Sequence, residues 1–107
     1  MKNALLAVGL LLSSCSSPVL AHSFYDGWCC NNQDCQPIPT GAVELTAQGY
    51  RVTLRPQDHG MLKGETAPHV YVVAYRDARV SPDGGYHACI YPDVETMRCF
   101  YAPPMGS

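Results

Sequence analysis

The chain has 107 residues, of which seven are basic and nine are acidic, so its net charge is −2 at neutral pH. This length fits a single domain. Because the sequence contains no run of basic residues, electrostatics disfavours nucleic acid and anionic lipid headgroups as partners.

The first 21 residues have the pattern of an export signal. Lys2 precedes an apolar run over residues 4–12, and "VLA" places Val19 and Ala21 at the small-residue positions before a cleavage site. The run is shorter than the roughly 20 apolar residues that a membrane-spanning helix needs. We predict a signal peptide over residues 1–21, a single domain over residues 22–107, and a periplasmic or secreted protein without a membrane span.

A second processing signal overlaps the first. The stretch "LSSC", residues 12–15, resembles the lipobox of bacterial lipoproteins, in which the cysteine is acylated and becomes the first residue. Lipidation at Cys15 is therefore the alternative, and it would anchor the protein in the outer membrane.

The mature segment begins with "HSFYDGWCCNNQDCQPIPTG", residues 22–41, whose turn formers and three cysteines predict a crosslinked loop. Further along, Tyr50, Val52 and Leu54 alternate with polar residues, which predicts a half-buried strand. Residues 55–68 predict a loop. The run "HVYVVAY", residues 69–75, predicts the central strand and the best candidate for the core.

The C-terminal third predicts a hairpin. "SPDGG", residues 81–85, has the residues of a tight reversal, and the segments "YHACIY" and "RCFYAP" follow it with one cysteine each. The predicted fold is mostly β: a small, disulfide-stapled antiparallel sheet of four or five strands with a loop-rich N-terminus.

Five cysteines of the mature segment predict disulfides, since a small exported domain buries a modest core and commonly needs crosslinks. They are Cys29, Cys30, Cys35, Cys89 and Cys99. Adjacent Cys29 and Cys30 favour two different partners, and we expect at least one of them to bond to the C-terminal hairpin. The pairing otherwise stays open, and one thiol is left over.

The histidines suggest a possible metal site. Cleavage after Ala21 would give His22 a free α-amine beside its imidazole, a pair that chelates Cu(II) when another imidazole joins it. His59, His69 and His87 are the candidates for that imidazole; His87 is preferred, whereas His59 and His69 are expected to be solvated. A copper-binding periplasmic protein is thus the alternative function, and lipidation at Cys15 would exclude it.

The aromatic residues predict a binding surface. Trp28 and Tyr25 lie in the N-terminal loop and Tyr86 lies in the predicted hairpin, where any exposed ring could contact another protein or a glycan. In "SPDGGYH", Asp83 precedes His87 by four residues, and we expect it to be a turn residue rather than one that orients a catalytic imidazole. A small hydrolase is the third and weakest hypothesis, because no cluster of catalytic residues is visible.

The segments "AHSFYDGWCCNNQDCQPI" and "ARVSPDGGYHACIY...RCFYAPP" resemble a group of small, exported, cysteine-rich bacterial proteins of unknown function. The resemblance covers both ends of the mature segment and leaves residues 41–74 aside. It implies cleavage before His22, disulfide stabilisation, and a shared role for His87 and the "SPDG" turn. Members often carry a further cysteine shortly after the third, where this chain reads "PIPTGAV".

Together these features favour an exported, non-catalytic binding or interaction module without a cofactor. The partner class that we predict is an envelope or extracellular protein.

Overall fold

The computed structural model describes residues 24–30 and 34–105. Its seven strands are β1 (Cys35–Ile38), β2 (Val43–Thr46), β3 (Gly49–Leu54), β4 (His69–Val73), β5 (Arg79–Val80), β6 (Tyr86–Ile90) and β7 (Met97–Ala102). Short 3₁₀ turns occupy Thr40–Ala42, Pro56–Asp58, Gly60–Leu62 and Tyr75–Asp77. The protein is mostly β and crosslinked by disulfides, as its sequence predicts, although the strands form two sheets and exceed the predicted four or five.

The strands form a four-stranded sheet in the order β1-β6-β7-β5 and a three-stranded sheet in the order β2-β3-β4. All described strand pairs are antiparallel except β5 with β7, which run parallel for two residues. The predicted C-terminal hairpin is confirmed as β6 and β7, and the "SPDGG" reversal immediately precedes it. Gly84 in that reversal has a φ of 78°, a conformation that favours glycine.

The main core lies between the inner faces of the two sheets. In β3 the predicted alternation is confirmed, because Tyr50, Val52 and Leu54 are buried while Arg51 is exposed. A fully buried side chain of this kind contributes about 1.5–3 kcal/mol through its transfer out of water. The residues of the four-stranded sheet that meet β3 are Ile38, Ala88, Ile90, Phe100 and Ala102.

The N-terminal loop covers the opposite face of the four-stranded sheet. Cys29 bonds to Cys99 of β7, and Cys35 of β1 bonds to Cys89 of β6. Cys89 and Cys99 are direct neighbours across the β6–β7 hairpin, yet each bonds to a cysteine from the N-terminal third. The expectation that the vicinal pair reaches the C-terminal hairpin is confirmed for Cys29.

Two predictions for the N-terminal segment, one on disulfide pairing and one on secondary structure, were wrong. Cys30 is half buried, and neither of the two described disulfides includes it. Cys35–Ile38 forms a strand and not part of a loop. It is an edge strand, which tolerates Pro37 because the missing backbone N–H can face away from the sheet.

The segment predicted as the central core strand lies elsewhere. β4 is the edge strand of the three-stranded sheet, and its Val70 and Val72 are 51% and 61% exposed. Only Tyr71 is buried, and its hydroxyl donates to the carbonyl oxygen of Val94 at 2.6 Å. β-Branched residues favour the strand conformation without specifying which faces are covered, so the position of this strand was predicted wrongly.

His59 is also placed differently from the prediction, because it is only 1% exposed. Its Nε2–H donates to the carbonyl oxygen of Ala88 at 2.9 Å, and its Nδ1 accepts from the backbone N–H of Met61 at 3.1 Å. These two contacts require a neutral ring with the proton on Nε2. His59 therefore fixes the 55–68 loop to β6 from inside.

Some predictions fall on residues 1–23, 31–33 and 106–107, which lie outside the described part of the chain. They are the signal peptide, the lipidation signal at Cys15, and His22 with its proposed free amine. Among the described residues no helix has the length and apolar character needed to cross a membrane.

Candidate functional site

A groove of about 570 Å³ runs between the two sheets at the molecular surface. One wall is formed by Val70–Val73 of β4 and by Ala74, which follows it. The other wall is the first part of β7, Met97–Phe100. Trp28 of the N-terminal loop also lines it, together with the charged residues Asp77, Arg79, Glu95 and Arg98. The groove thus combines both sheets and the loop that carries the first cysteines.

Both walls of the groove are open strand edges. In the described part of the chain, β4 pairs with β3 on one side and with no strand on the other. β7 pairs with β6 on one side, whereas β5 covers its other side only at Tyr101 and Ala102. The edge of Met97–Phe100 is therefore free of a partner strand. Such edges carry backbone donors and acceptors that another strand can pair with.

A β-bulge in the hairpin shapes the wall formed by β7. Cys99 pairs with Cys89 and Met97 pairs with Ile90, which leaves Arg98 as the extra residue. Bulges of this kind redirect a side chain and commonly occur beside functional sites. The Arg98 guanidinium lies 3.9 Å from the centroid of the Trp28 ring, and its Nε donates to the Trp28 carbonyl oxygen at 2.6 Å.

Trp28 is held by its backbone while its side chain stays 61% exposed. The Trp28 backbone N–H donates to Oδ1 of Asp26 at 2.8 Å, and the neighbouring Cys29 is bonded to Cys99. Asp26 is itself fixed, since its backbone N–H donates to the Tyr101 hydroxyl at 2.9 Å. An exposed, rigidly presented tryptophan is a typical anchor of a binding interface.

The other predicted binding aromatics do not line the groove. Tyr86 is half buried and packs against the core aromatics Tyr50 and Phe100. Tyr25 is half buried over the other face of the four-stranded sheet, where its hydroxyl lies 2.7 Å from Nδ1 of His87. Of the three predicted residues, only Trp28 contributes to the groove.

His87 has both ring nitrogens engaged. Nε2 lies 3.0 Å from each carboxylate oxygen of Asp83, so it carries the proton that this carboxylate accepts. Nδ1 then accepts from the Tyr25 hydroxyl. Asp83 also accepts from the Ser81 hydroxyl at 2.7 Å and from the Gly85 N–H at 2.9 Å. Asp83 therefore closes the turn, as its sequence predicts, and its carboxylate also orients the His87 imidazole.

The electrostatics of the Tyr25, His87 and Asp83 side chains favour anchoring of the N-terminal loop over nucleophilic chemistry. Burial, reinforced by the Asp83 charge, raises the pKa of Tyr25 to about 12, so its hydroxyl keeps its proton at neutral pH. Hydrogen bonds from Ser81, His87 and Gly85 hold the pKa of Asp83 well below its usual range. The result is a fixed Tyr25–His87–Asp83 chain that ties the N-terminal loop to β6.

His87 was also the predicted partner of His22 in a copper site. Within residues 24–30 and 34–105, no group of three metal-ligating side chains is brought together. In the observed arrangement a metal would have to displace either Tyr25 or Asp83 from His87. His22 lies outside the described residues, so the copper hypothesis stays a prediction.

Comparison of the chain with protein-family models, curated proteins and solved structures found no match. The resemblance to small exported cysteine-rich proteins stays a prediction, and the function has to be argued from the groove itself.

Replacement of Tyr25 with Phe tests the anchoring role of the Tyr25–His87–Asp83 chain. This change removes one hydroxyl and leaves the buried Nδ1 of His87 without its donor, so we expect a loss of about 1–2 kcal/mol in the free energy of unfolding. Urea unfolding followed by circular dichroism measures it. Tyr91→Phe is the matched control, with an expected loss below about 0.5 kcal/mol. Equal losses in the two variants would contradict an anchoring role.

The sequence analysis missed most of the groove. Val70 and Val72 alternate with Tyr71, but the alternation is hidden because apolar residues occupy both faces of the strand. Arg98 becomes part of the site through a bulge, which has no residue signature here. Only Trp28 gave a signal that could be used.

Proposed function

We propose that this protein is an exported, non-catalytic binding domain that takes up an extended segment of another envelope or extracellular protein. The segment is added as a strand in the groove between β4 and β7. The observation that carries the proposal is that two open strand edges line one groove together with the exposed side chains of Val70, Val72 and Trp28.

The open edges favour an extended ligand over other kinds of ligand. A helix satisfies its own backbone hydrogen bonds and would leave the edges of β4 and β7 unpaired. An extended segment pairs with these edges and directs alternate side chains to each face. β4 has five residues and a length of about 17 Å, so a ligand of about five residues matches it.

The exposed apolar residues supply affinity beyond backbone pairing. Val70 and Val72 project on the outer face of the three-stranded sheet, where a neighbouring strand would place its own side chains beside them. Cross-strand pairs of this kind contribute roughly 0.2–1 kcal/mol each. Trp28 offers a large ring at low entropic cost because its backbone is already fixed.

Two disulfides in a small β domain agree with an oxidising, extracytoplasmic location, which is the location that we propose. The finer choice between a secreted, periplasmic or lipid-anchored protein depends on processing within residues 1–21.

The proposal predicts that peptides selected from a random display library bind in the groove. Val72→Lys places a charge on the open edge, and we expect it to weaken binding of the selected peptides at least about tenfold. Trp28→Ala should weaken it by about 2 kcal/mol. Isothermal titration calorimetry with synthetic peptides gives both values. Leu45→Lys is the matched control, because Leu45 is also exposed but lies on β2, at the far edge of the same sheet.

Backbone methylation of the peptide separates strand addition from side-chain docking. Methyl groups on the alternate amide nitrogens that face β4, or on the intervening amide nitrogens that face β7, should each abolish binding, whereas a methyl group on an amide beyond both edges should leave it nearly unchanged. Failure of every selection against the folded, oxidised protein would overturn the proposed function. Self-association that Val72→Lys reverses, measured by sedimentation equilibrium, would replace it with a second copy as occupant.

A further inference from the structure

The charged side chains that line the groove fall into two groups. The two arginines already have partners: Nη1 of Arg79 lies 3.2 Å from Oδ2 of Asp26, and Arg98 stacks on Trp28 while it donates to the Trp28 carbonyl oxygen. Both arginines hold the N-terminal loop against the sheet, but only the charge of Arg79 is balanced by a carboxylate, because the described partners of Arg98 are uncharged.

The two acidic residues of the groove are available to a ligand. Asp77 and Glu95 are both exposed, and across residues 24–30 and 34–105 neither carboxylate forms an ion pair. The net charge of the whole chain is also negative, at −2. Among the described residues that line the groove, the two carboxylates without an ion pair outnumber the one cation without an ion pair, Arg98, so the groove presents a net negative charge to an incoming segment.

The two carboxylates flank the open edge of β7. Glu95 precedes Met97, where the open stretch begins. Asp77 ends the 3₁₀ turn that leads into β5, and β5 pairs with β7 at Tyr101, just beyond the other end of that stretch. An extended segment lying along Met97–Phe100 would accordingly meet one carboxylate near each end.

We propose that the natural ligand is a basic extended segment, with an apolar centre flanked on both sides by lysine or arginine. This inference rests on the proposed function and adds the chemical class of the partner. Rim charges of this type act mainly by steering association and by rejecting wrong partners, so an acidic segment with the same apolar centre is selected against.

The peptide selection described above already contains the first test. Peptides of about nine random residues that bind the wild-type protein should be enriched in Lys and Arg on both sides of an apolar centre. In synthetic versions, changing the flanking basic residues to Gln should weaken binding about three-fold for each ion pair lost. Raising the salt concentration from about 20 mM to about 200 mM should weaken binding of the basic peptide and leave the Gln version nearly unchanged.

Protein variants provide the second test. The double variant Asp77→Asn and Glu95→Gln should bind the basic peptide about tenfold more weakly and bind the Gln version as the wild type does. Glu44→Gln is the control, since Glu44 is exposed on β2 and does not line this groove. These changes are conservative and exposed, so circular dichroism should show an unchanged fold.

The outcomes separate the two claims. Peptides that bind in the groove without enriched basic flanks, or that bind the double variant equally well, overturn this inference and leave the proposed function standing. Preference for acidic flanks overturns it as well. If no peptide is selected, both the inference and the proposed function are overturned.

Discussion

Removal of the Cys29–Cys99 disulfide should lower the free energy of unfolding by about 3–4 kcal/mol. The two cysteines are 70 residues apart, and closing a loop of that size constrains the unfolded chain by about 4 kcal/mol in the entropy model. A small domain has only about 5–15 kcal/mol of total stability, so this loss is a large part of it. Urea unfolding of the double variant Cys29→Ala and Cys99→Ala measures the change.

The Cys35–Cys89 disulfide is the matched control for the effect of the Cys29–Cys99 disulfide on Trp28 and on peptide binding. Cys35 and Cys89 are 54 residues apart, so their double alanine variant should lose a similar free energy of unfolding. It ties β1 to β6 and does not hold Trp28. Peptide binding and the fluorescence of Trp28, the single tryptophan of the chain, should change only in the Cys29/Cys99 variant. Similar binding losses in both would argue against a special role for the Cys29–Cys99 bond.

His59→Ala should destabilise the protein by about 3 kcal/mol. The ring is buried, and its loss leaves a cavity and an unsatisfied carbonyl oxygen at Ala88 inside the protein. His69→Ala is the control, because His69 is half buried and its ring has one described polar partner, the half-buried side chain of Glu65, in an interaction worth below about 1 kcal/mol. Thermal and urea unfolding at neutral pH compare the two variants.

The same histidine predicts a loss of stability in mild acid. Burial lowers the pKa of His59 below 6.5, against the opposing effects of the Ala88 carbonyl and Asp34. Below about pH 6.5 the unfolded chain binds a proton that the native ring refuses, so stability falls with decreasing pH by at most about 1.4 kcal/mol per unit. His59→Gln should remove this dependence. If that variant and the wild type lose stability in parallel between pH 6.5 and pH 5, the assignment to His59 is wrong.

Asp83 acts in a separate pH window. Its pKa lies below the usual value, so the stability it contributes is present above about pH 4 and is lost as the pH falls further. Its side chain is half exposed, and solvent screening keeps this contribution small. The interval between pH 6.5 and pH 5, in which His59 is tested, therefore lies above the window in which Asp83 acts.

Much of the fold follows from local sequence patterns. Alternation identified β3, and turn residues with two cysteine-bearing segments identified the β6–β7 hairpin. Both signals depend on neighbours along the chain. The disulfide pairing depends on which strands meet in space, so the sequence left it open until β1 was seen beside β6.

The position of β4 and the burial of His59 were out of reach for a related reason. A run of valines reads as buried, yet the fold places one of its faces in solvent. His59 follows a polar segment, and its burial depends on Ala88, 29 residues away. The role of Trp28 as a groove residue could be predicted, because a crosslinked loop restricts where an aromatic side chain can lie. The groove that Trp28 lines could not be predicted. Each wall is a strand edge that no described strand pairs with along the groove, and the sequence does not show which edges stay unpaired.

The connectivity of the two disulfides also sets an order of events for the growing chain. Each bond joins a cysteine of the first third of the sequence to one in β6 or β7. If the chain is exported, as we propose, Cys29 and Cys35 cross the membrane well before their disulfide partners Cys99 and Cys89. Under that proposal, neither bond can form until the chain has been translocated at least as far as Cys89. The cysteines of β6 and β7 therefore crosslink the N-terminal loop and β1 only at a late stage.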